Sequence, residues 1–100
     1  VEIKSDESDG RAVITLTGDL DVHASSAVEA ALAAALASSG GVTIDLSAVP
    51  FADSSGLGTL IAAYKKAQGL GKEIRLRKPT PIVAEILTIT RMKRFFPIEE

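Results

Sequence analysis

Cysteine and tryptophan are absent, and histidine occurs once, at His23. Without cysteine there are no disulfides and no thiolate metal sites. A lone imidazole beside Asp21 lacks the second histidine and the ligand spacing of a metal centre, so no metal and no cofactor are expected. Aromatic residues are only 4% of the chain, which leaves the core to Ala, Val, Ile and Leu. No apolar run reaches the ~20 residues of a membrane-spanning helix, and the opening Val1–Glu7 stretch has no signal-peptide shape. The expectation is a cytoplasmic protein with no membrane partner. The first residue is not Met, which suits a trimmed chain. What is present is 46% hydrophobic residues in a length of 100. That is too apolar for disorder and enough for one core, so residues 1–100 are expected to form a single domain.

Charge is split along the chain. Residues 1–53 hold nine acidic and two basic residues, whereas residues 54–100 hold nine basic and four acidic ones. The basic half raises nucleic acid as a partner. Its lysines and arginines are scattered over several elements, and only Tyr64 and the Phe95–Phe96 pair offer stacking surfaces. The Phe pair reads better as core. A solvated basic face is preferred, and no direct nucleic-acid contact is expected.

The pattern of apolar residues orders the elements. Residues 1–4 suggest a short edge strand, and Asp9-Gly10 marks a hairpin into an alternating strand, Arg11–Thr17. A loop, Gly18–His23, leads to a helix whose Ser26…Glu29 spacing is that of a capping box and whose stripe is Val28, Leu32, Ala35 and Leu36. Ser38–Gly41 stops it. Val42, Ile44 and Leu46 alternate as a strand. Leu57, Leu60, Ile61, Tyr64 and Ala67 share one helical face. Glu73–Arg77 alternates again. Thr80 as cap and Pro81 in the first turn open a third helix with Ile82, Val83, Ile86, Leu87 and Ile89 as its stripe. Arg94–Ile98 suggests a final strand, restricted to an edge by Pro97. Strands alternating with helices imply parallel pairing. Because the strands alternate polar with apolar, one sheet face should stay wet. The expected architecture is α/β, a two-layer domain with a mixed, mainly parallel sheet and helices on one face.

Catalytic patterns fail on spacing. A Ser-His-Asp set written from Ser54 or Ser55, His23 and Asp53 lacks the upstream glycine of a nucleophile elbow. Gly69-Leu-Gly-Lys72 has Glu73 where a phosphate loop needs Ser or Thr, and it runs from helix to strand, the wrong order. No enzyme activity is expected.

One stretch resists the bland reading. Residues 50–58, Pro-Phe-Ala-Asp-Ser-Ser-Gly-Leu-Gly, lie where a strand hands over to a helix. Asp53 and the serines suit ordinary N-caps, worth about 1 kcal/mol. Two glycines in a first turn do not serve stability, since each costs up to about 1 kcal/mol relative to Ala. A helix start exposes N–H groups and a positive dipole end that tolerate negative charge, and the glycines would let another backbone approach. Ser54 can therefore be read as a switch: part of a docking surface when bare, an obstacle when phosphorylated.

Three pieces together resemble the STAS domain, in particular the bacterial anti-sigma factor antagonists: Gly18-Asp19-Leu20-Asp21 after a strand, Val42-Thr-Ile-Asp-Leu-Ser47, and Phe51-Ala-Asp-Ser-Ser-Gly-Leu-Gly58 entering Leu60–Lys66. The likeness covers nearly the whole chain and is weakest over Arg91–Glu100. It implies partner switching. The bare antagonist binds an anti-sigma factor and frees the sigma factor. The anti-sigma factor, also a serine kinase, phosphorylates the first serine after the aspartate, here Ser54, and a serine phosphatase reverses this. Asp19, Asp21, Asp53, Ser54, Ser55, Gly56 and Gly58 are then the candidate partner contacts. The alternative implied by the same family is a non-enzymatic scaffold in a transporter, lipid-trafficking or stress-signalling complex.

Overall fold

A computed structural model describes residues 1–100. Five strands, β1 (Glu2–Ser8), β2 (Arg11–Thr17), β3 (Gly41–Ala48), β4 (Glu73–Arg77) and β5 (Ile98–Glu99), form one sheet in the order of the chain. The β1–β2 pair is antiparallel and all later pairs are parallel. Helix α1 (Ser25–Ser38) connects β2 to β3, and α2 (Ser54–Gly69) connects β3 to β4. Helix α3 (Pro81–Ile89) and a short 3₁₀ turn, Met92–Phe95, lead into β5. The mixed, mainly parallel sheet is the one the alternating pattern implies.

Alternation explains the layers. Ala12, Ile14 and Leu16 of β2, Val42, Ile44 and Leu46 of β3, and Ile74 and Leu76 of β4 are buried in one cluster of 24 residues. Val28, Leu32, Ala35 and Leu36 of α1 and Leu57, Leu60, Ala63 and Ala67 of α2 complete it. Helices therefore cover one face. The opposite face carries Arg11, Thr43, Asp45, Arg75 and Arg77, tied together by side chains. Arg11 Nε donates to Thr43 Oγ1 at 3.0 Å, and Glu73 Oε1 receives Arg11 Nη2 at 3.2 Å and Arg75 Nε at 2.7 Å. Arg11 lies over Thr43, which is buried despite belonging to the wet face.

Four expectations shift. Strand β1 runs to Ser8 rather than stopping at Lys4, with every residue from Glu2 to Ser8 paired to β2. Its outer edge faces water, so only Ile3 packs on the core and the polar remainder gave no strand signal. Asp9 and Gly10 both have positive φ, 54° and 76°, the turn that two-residue hairpins favour. Helix α3 buries only Val83 and Leu87 fully; Ile82 and Ile89 of its expected stripe are exposed. Thr80 makes no side-chain cap, and its hydroxyl instead donates to the Val49 carbonyl at 2.8 Å. The tail contributes a strand of two residues, with the Pro97 carbonyl accepting from Leu76 N at 2.9 Å. Phe96 is buried and stacks edge-on against Tyr64, 5.6 Å between centroids. No helix is long and apolar enough to cross a membrane.

Asp45, at the exit of β3, supports a prediction. Burial works against its charge, but the hydroxyl and amide of Ser47 both donate to it, and Arg77 and Lys78 add attraction, so its pKa lies below the ordinary carboxylate value. A depressed folded-state pKa stabilises the fold above the unfolded pKa, and this stabilisation is lost as pH falls through the folded value. Asp45→Asn is therefore expected to be less stable than the parent at pH 7 in urea unfolding. The difference should shrink as pH falls below about 4.

Candidate functional site

The C-terminal ends of the parallel strands lie at one end of the sheet, and there the two acidic segments meet. Gly18 N donates to Ala48 O at 3.0 Å, Leu20 N to Phe51 O at 2.9 Å, and Asp53 N to Leu20 O at 3.1 Å. Leu20 and Ala52 form a parallel bridge beyond the named strands. Residues 18–21 are thereby stitched alongside residues 48–53, and Leu20 and Ala52 are buried between them.

Helix α2 begins from this seam. Asp53 is its N-cap, in extended conformation, and its Oδ1 accepts from Gly56 N at 2.9 Å. The Asp53 carbonyl accepts from Leu57 N at 2.9 Å. Ser54 and Ser55 are the first two helical residues, whose amides have no acceptor within the helix. Ser54 is exposed and Ser55 half-buried. No acidic residue lies inside the first turn, so the positive end of the helix dipole is offset only by the capping carboxylate.

The two glycines differ sharply. Gly56 is buried, and a Cβ built there would lie 2.0 Å from Leu20 O and 2.7 Å from Leu20 C. Its missing side chain makes room for the protein's own loop, which is a stronger reason for glycine than the approach of another protein. Gly58 is exposed and a Cβ there meets nothing within 4 Å.

The acidic loop also has an inward task. Asp21 Oδ1 accepts from the amides of His23 at 3.0 Å and Ala24 at 3.1 Å, and the Asp21 carbonyl accepts from the Ser25 hydroxyl at 3.0 Å. This replaces the capping box expected at Ser26 and Glu29. Helix α1 starts at Ser25 behind Ala24, which offers no side-chain cap, and Ser26 is already inside the first turn. Asp21 is thus half-buried and structural, while Asp19 is exposed. His23 is exposed as well, and no group of three His, Asp or Glu side chains is gathered anywhere to hold a metal.

The seam therefore brings the segment of Asp19 and Asp21 beside that of Asp53, Ser54 and Ser55, with Asp21 at the start of α1 and Asp53 at the start of α2. Sequence reasoning did not single out three exposed apolar residues at this end. Phe51, Val22 and Ile82 are 46%, 61% and 55% exposed, on the three chain segments at this end of the sheet. Their only signal was an apolar residue standing in a segment without helical or strand periodicity, or on a helix with more apolar positions than its core face needs.

A family model described as "Mlab, STAS domain" matches residues 3–98. The chain belongs to the STAS domain family. An anti-sigma F factor antagonist of Paenibacillus polymyxa is 27% identical over 100 residues, covering 98% of this chain and 86% of that protein. A solved anti-sigma factor antagonist of Mycobacterium paratuberculosis is 31% identical, with TM-score 0.83 and coverage of 98% of this chain and 84% of the other. The Bacillus cell fate determinant SpoIIAA, solved in its phosphorylated form, shares the fold at 19% identity with TM-score 0.76, covering 99% and 92%. In this STAS domain the Asp-Ser-Ser-Gly turn and the Gly-Asp-Leu-Asp loop form one continuous surface.

Two predictions test this geometry. Gly56→Ala and Gly58→Ala should move in opposite directions. The first forces Leu20 backbone to shift and is expected to lose about 1–3 kcal/mol. The second relieves a helix penalty and should gain up to about 1 kcal/mol. Chemical denaturation of both variants decides. Separately, Asp21→Ala should lose about 1 kcal/mol of stability, the worth of a helix cap, whereas Asp19→Ala should unfold at the same denaturant concentration as the parent.

Proposed function

We propose that this STAS domain is an anti-sigma factor antagonist whose bare form binds an anti-sigma factor and releases the sigma factor, and whose binding ends when Ser54 is phosphorylated. The observation that carries this reading is the setting of Ser54. It is exposed at the head of α2, beside a carboxylate-bearing loop and next to a half-buried second serine. Antagonists from P. polymyxa and M. paratuberculosis are similar along nearly the whole chain, and the SpoIIAA fold accommodates a phosphorylated state.

The physical consequence of phosphorylation follows from charge. In the partner's kinase site Ser54 Oγ bonds to the γ-phosphorus of ATP as the bond to the bridging oxygen breaks; ADP departs and the hydroxyl proton passes to a base of the kinase. The product carries about −1.5 to −2 charges at pH 7. The α2 dipole makes this charge tolerable within the domain. A partner surface fitted to a bare hydroxyl and to the Asp19–Asp53 carboxylates meets added bulk and repulsion. A loss of about 4 kcal/mol weakens binding roughly a thousandfold. No refolding is required. A serine phosphatase restores the bare form.

The family description names Mlab, not an antagonist, which keeps a second reading in view: a scaffold within a transporter or lipid-trafficking complex. The same experiment separates the two. After incubation with an anti-sigma kinase and ATP, mass spectrometry should find one phosphate on Ser54. Ser54→Ala should stay bound in the presence of ATP, Ser54→Asp should fold and bind weakly, and Ser55→Ala should still be modified. Phosphate on Ser55, or none with every anti-sigma kinase of the source organism, refutes the switch.

A further inference from the structure

The affinity of the proposed docking surface has to come from somewhere other than its carboxylates. Charges at an interface rim set association rate and specificity more than net affinity, and tight interfaces depend on a few desolvated apolar or aromatic side chains. Six large apolar residues are exposed: Val1, Val22, Phe51, Leu70, Ile82 and Ile89. Singly scattered ones need no explanation, but three of the six belong to the site end of the sheet.

Two hydrogen bonds tie together the segments that carry these three residues. Phe51 O receives Leu20 N, and Val22 is two residues beyond Leu20. Val49 O receives the Thr80 hydroxyl; Phe51 lies two residues beyond Val49 and Ile82 two beyond Thr80. Phe51 is thus the middle member, directly upstream of the Ser54 turn. The fold leaves it 46% exposed although Ala52 beside it and Val49 two residues before it are buried. The chain from residue 12 to residue 64 has no lysine or arginine, and Asp19 and Asp21 precede Val22 by three residues and one, while Asp53 follows Phe51 by two. Of the cations at this end, Arg77 pairs with Glu99 at 3.7 Å, and Arg77 and Lys78 both act electrostatically on Asp45.

We propose that Phe51, flanked by Val22 and Ile82, is the apolar anchor of this surface, and that it seats in an apolar cleft rimmed by lysine or arginine on the anti-sigma factor. This rests on the reading of the domain as an antagonist and adds where the binding energy lies. Charge selects the occupant: a second copy would set acidic loop against acidic loop, and an anionic lipid surface would be repelled in the same way. It also gives Ser54 its leverage, because a phosphate at the head of α2 has to be desolvated beside an apolar contact.

The test measures binding of the purified anti-sigma factors of the source organism to the unmodified domain by surface plasmon resonance. The variants are Phe51→Ala, Ile82→Ala, Val22→Ala and, as control, Leu70→Ala. Leu70 is 50% exposed but sits at the far end of α2, about 24 Å from Ser54 along a 16-residue helix. All four are surface changes, and circular dichroism melting should leave them folded. Phe51→Ala is expected to weaken binding about tenfold or more through faster dissociation. Ile82→Ala and Val22→Ala should weaken it less, and Leu70→Ala should match the parent. Asp19→Asn should instead slow association and flatten its salt dependence. If the parent binds and Phe51→Ala binds within about twofold of it, the anchor is wrong while the antagonist reading stands. If the parent binds no anti-sigma factor, both fall. A parent that sediments as a dimer, made monomeric by Phe51→Ala, assigns the patch to self-association and overturns the proposal.

Discussion

The seam between residues 18–21 and 48–53 is the contact on which the site depends. Three backbone hydrogen bonds and one parallel bridge extend the sheet past the ends of β2 and β3. Leu20 is the shared member: its amide and carbonyl are both committed, its side chain is in the core, and its carbonyl lies against Gly56. A side chain on Gly56 would displace that carbonyl from Asp53 N, and with it the cap of α2. The loop and the helix start are therefore one mechanical unit, built from elements more than thirty residues apart.

That arrangement accounts for what the sequence made legible. Alternation in Arg11–Thr17, Val42–Leu46 and Glu73–Arg77 identified the three central strands, because each has one face on the helices and one in water. The Asp-Ser-Ser-Gly stretch announced itself through residues that a stable helix would avoid. Its link to Gly-Asp-Leu-Asp was not readable from the residues, since a backbone pairing leaves no compositional trace; it entered through the family resemblance. Gly56 was readable as special but not for the right reason, because a glycine demanded by its own neighbouring loop and one kept clear for a partner look the same in one dimension.

Two other departures have a common cause. The capping box at Ser26 and Glu29 satisfied the local spacing, but Asp21 reaches the free amides first and draws the helix start back to Ser25. Thr80 satisfied the local spacing for a cap, but its hydroxyl finds the Val49 carbonyl on another segment. In both places a hydrogen-bonding group with two possible partners takes the one that the tertiary fold brings close. The apolar excess on α3 is a different matter. Ile82 and Ile89 fit the helical period yet remain outside, which periodicity alone cannot distinguish from burial.

Both edges of the sheet are guarded against main-chain pairing. The outer edge β1 carries Glu2, Lys4, Asp6 and Glu7, and the opposite edge β5 is two residues long with Pro97 before it. Charged side chains, brevity and proline are the devices that keep an exposed strand from recruiting another. Main-chain pairing is sequence-tolerant and would serve the proposed binding and release of one partner poorly. With both edges guarded in this way, the proposed exchange of partners is left to side chains, whose contacts one added phosphate would disrupt.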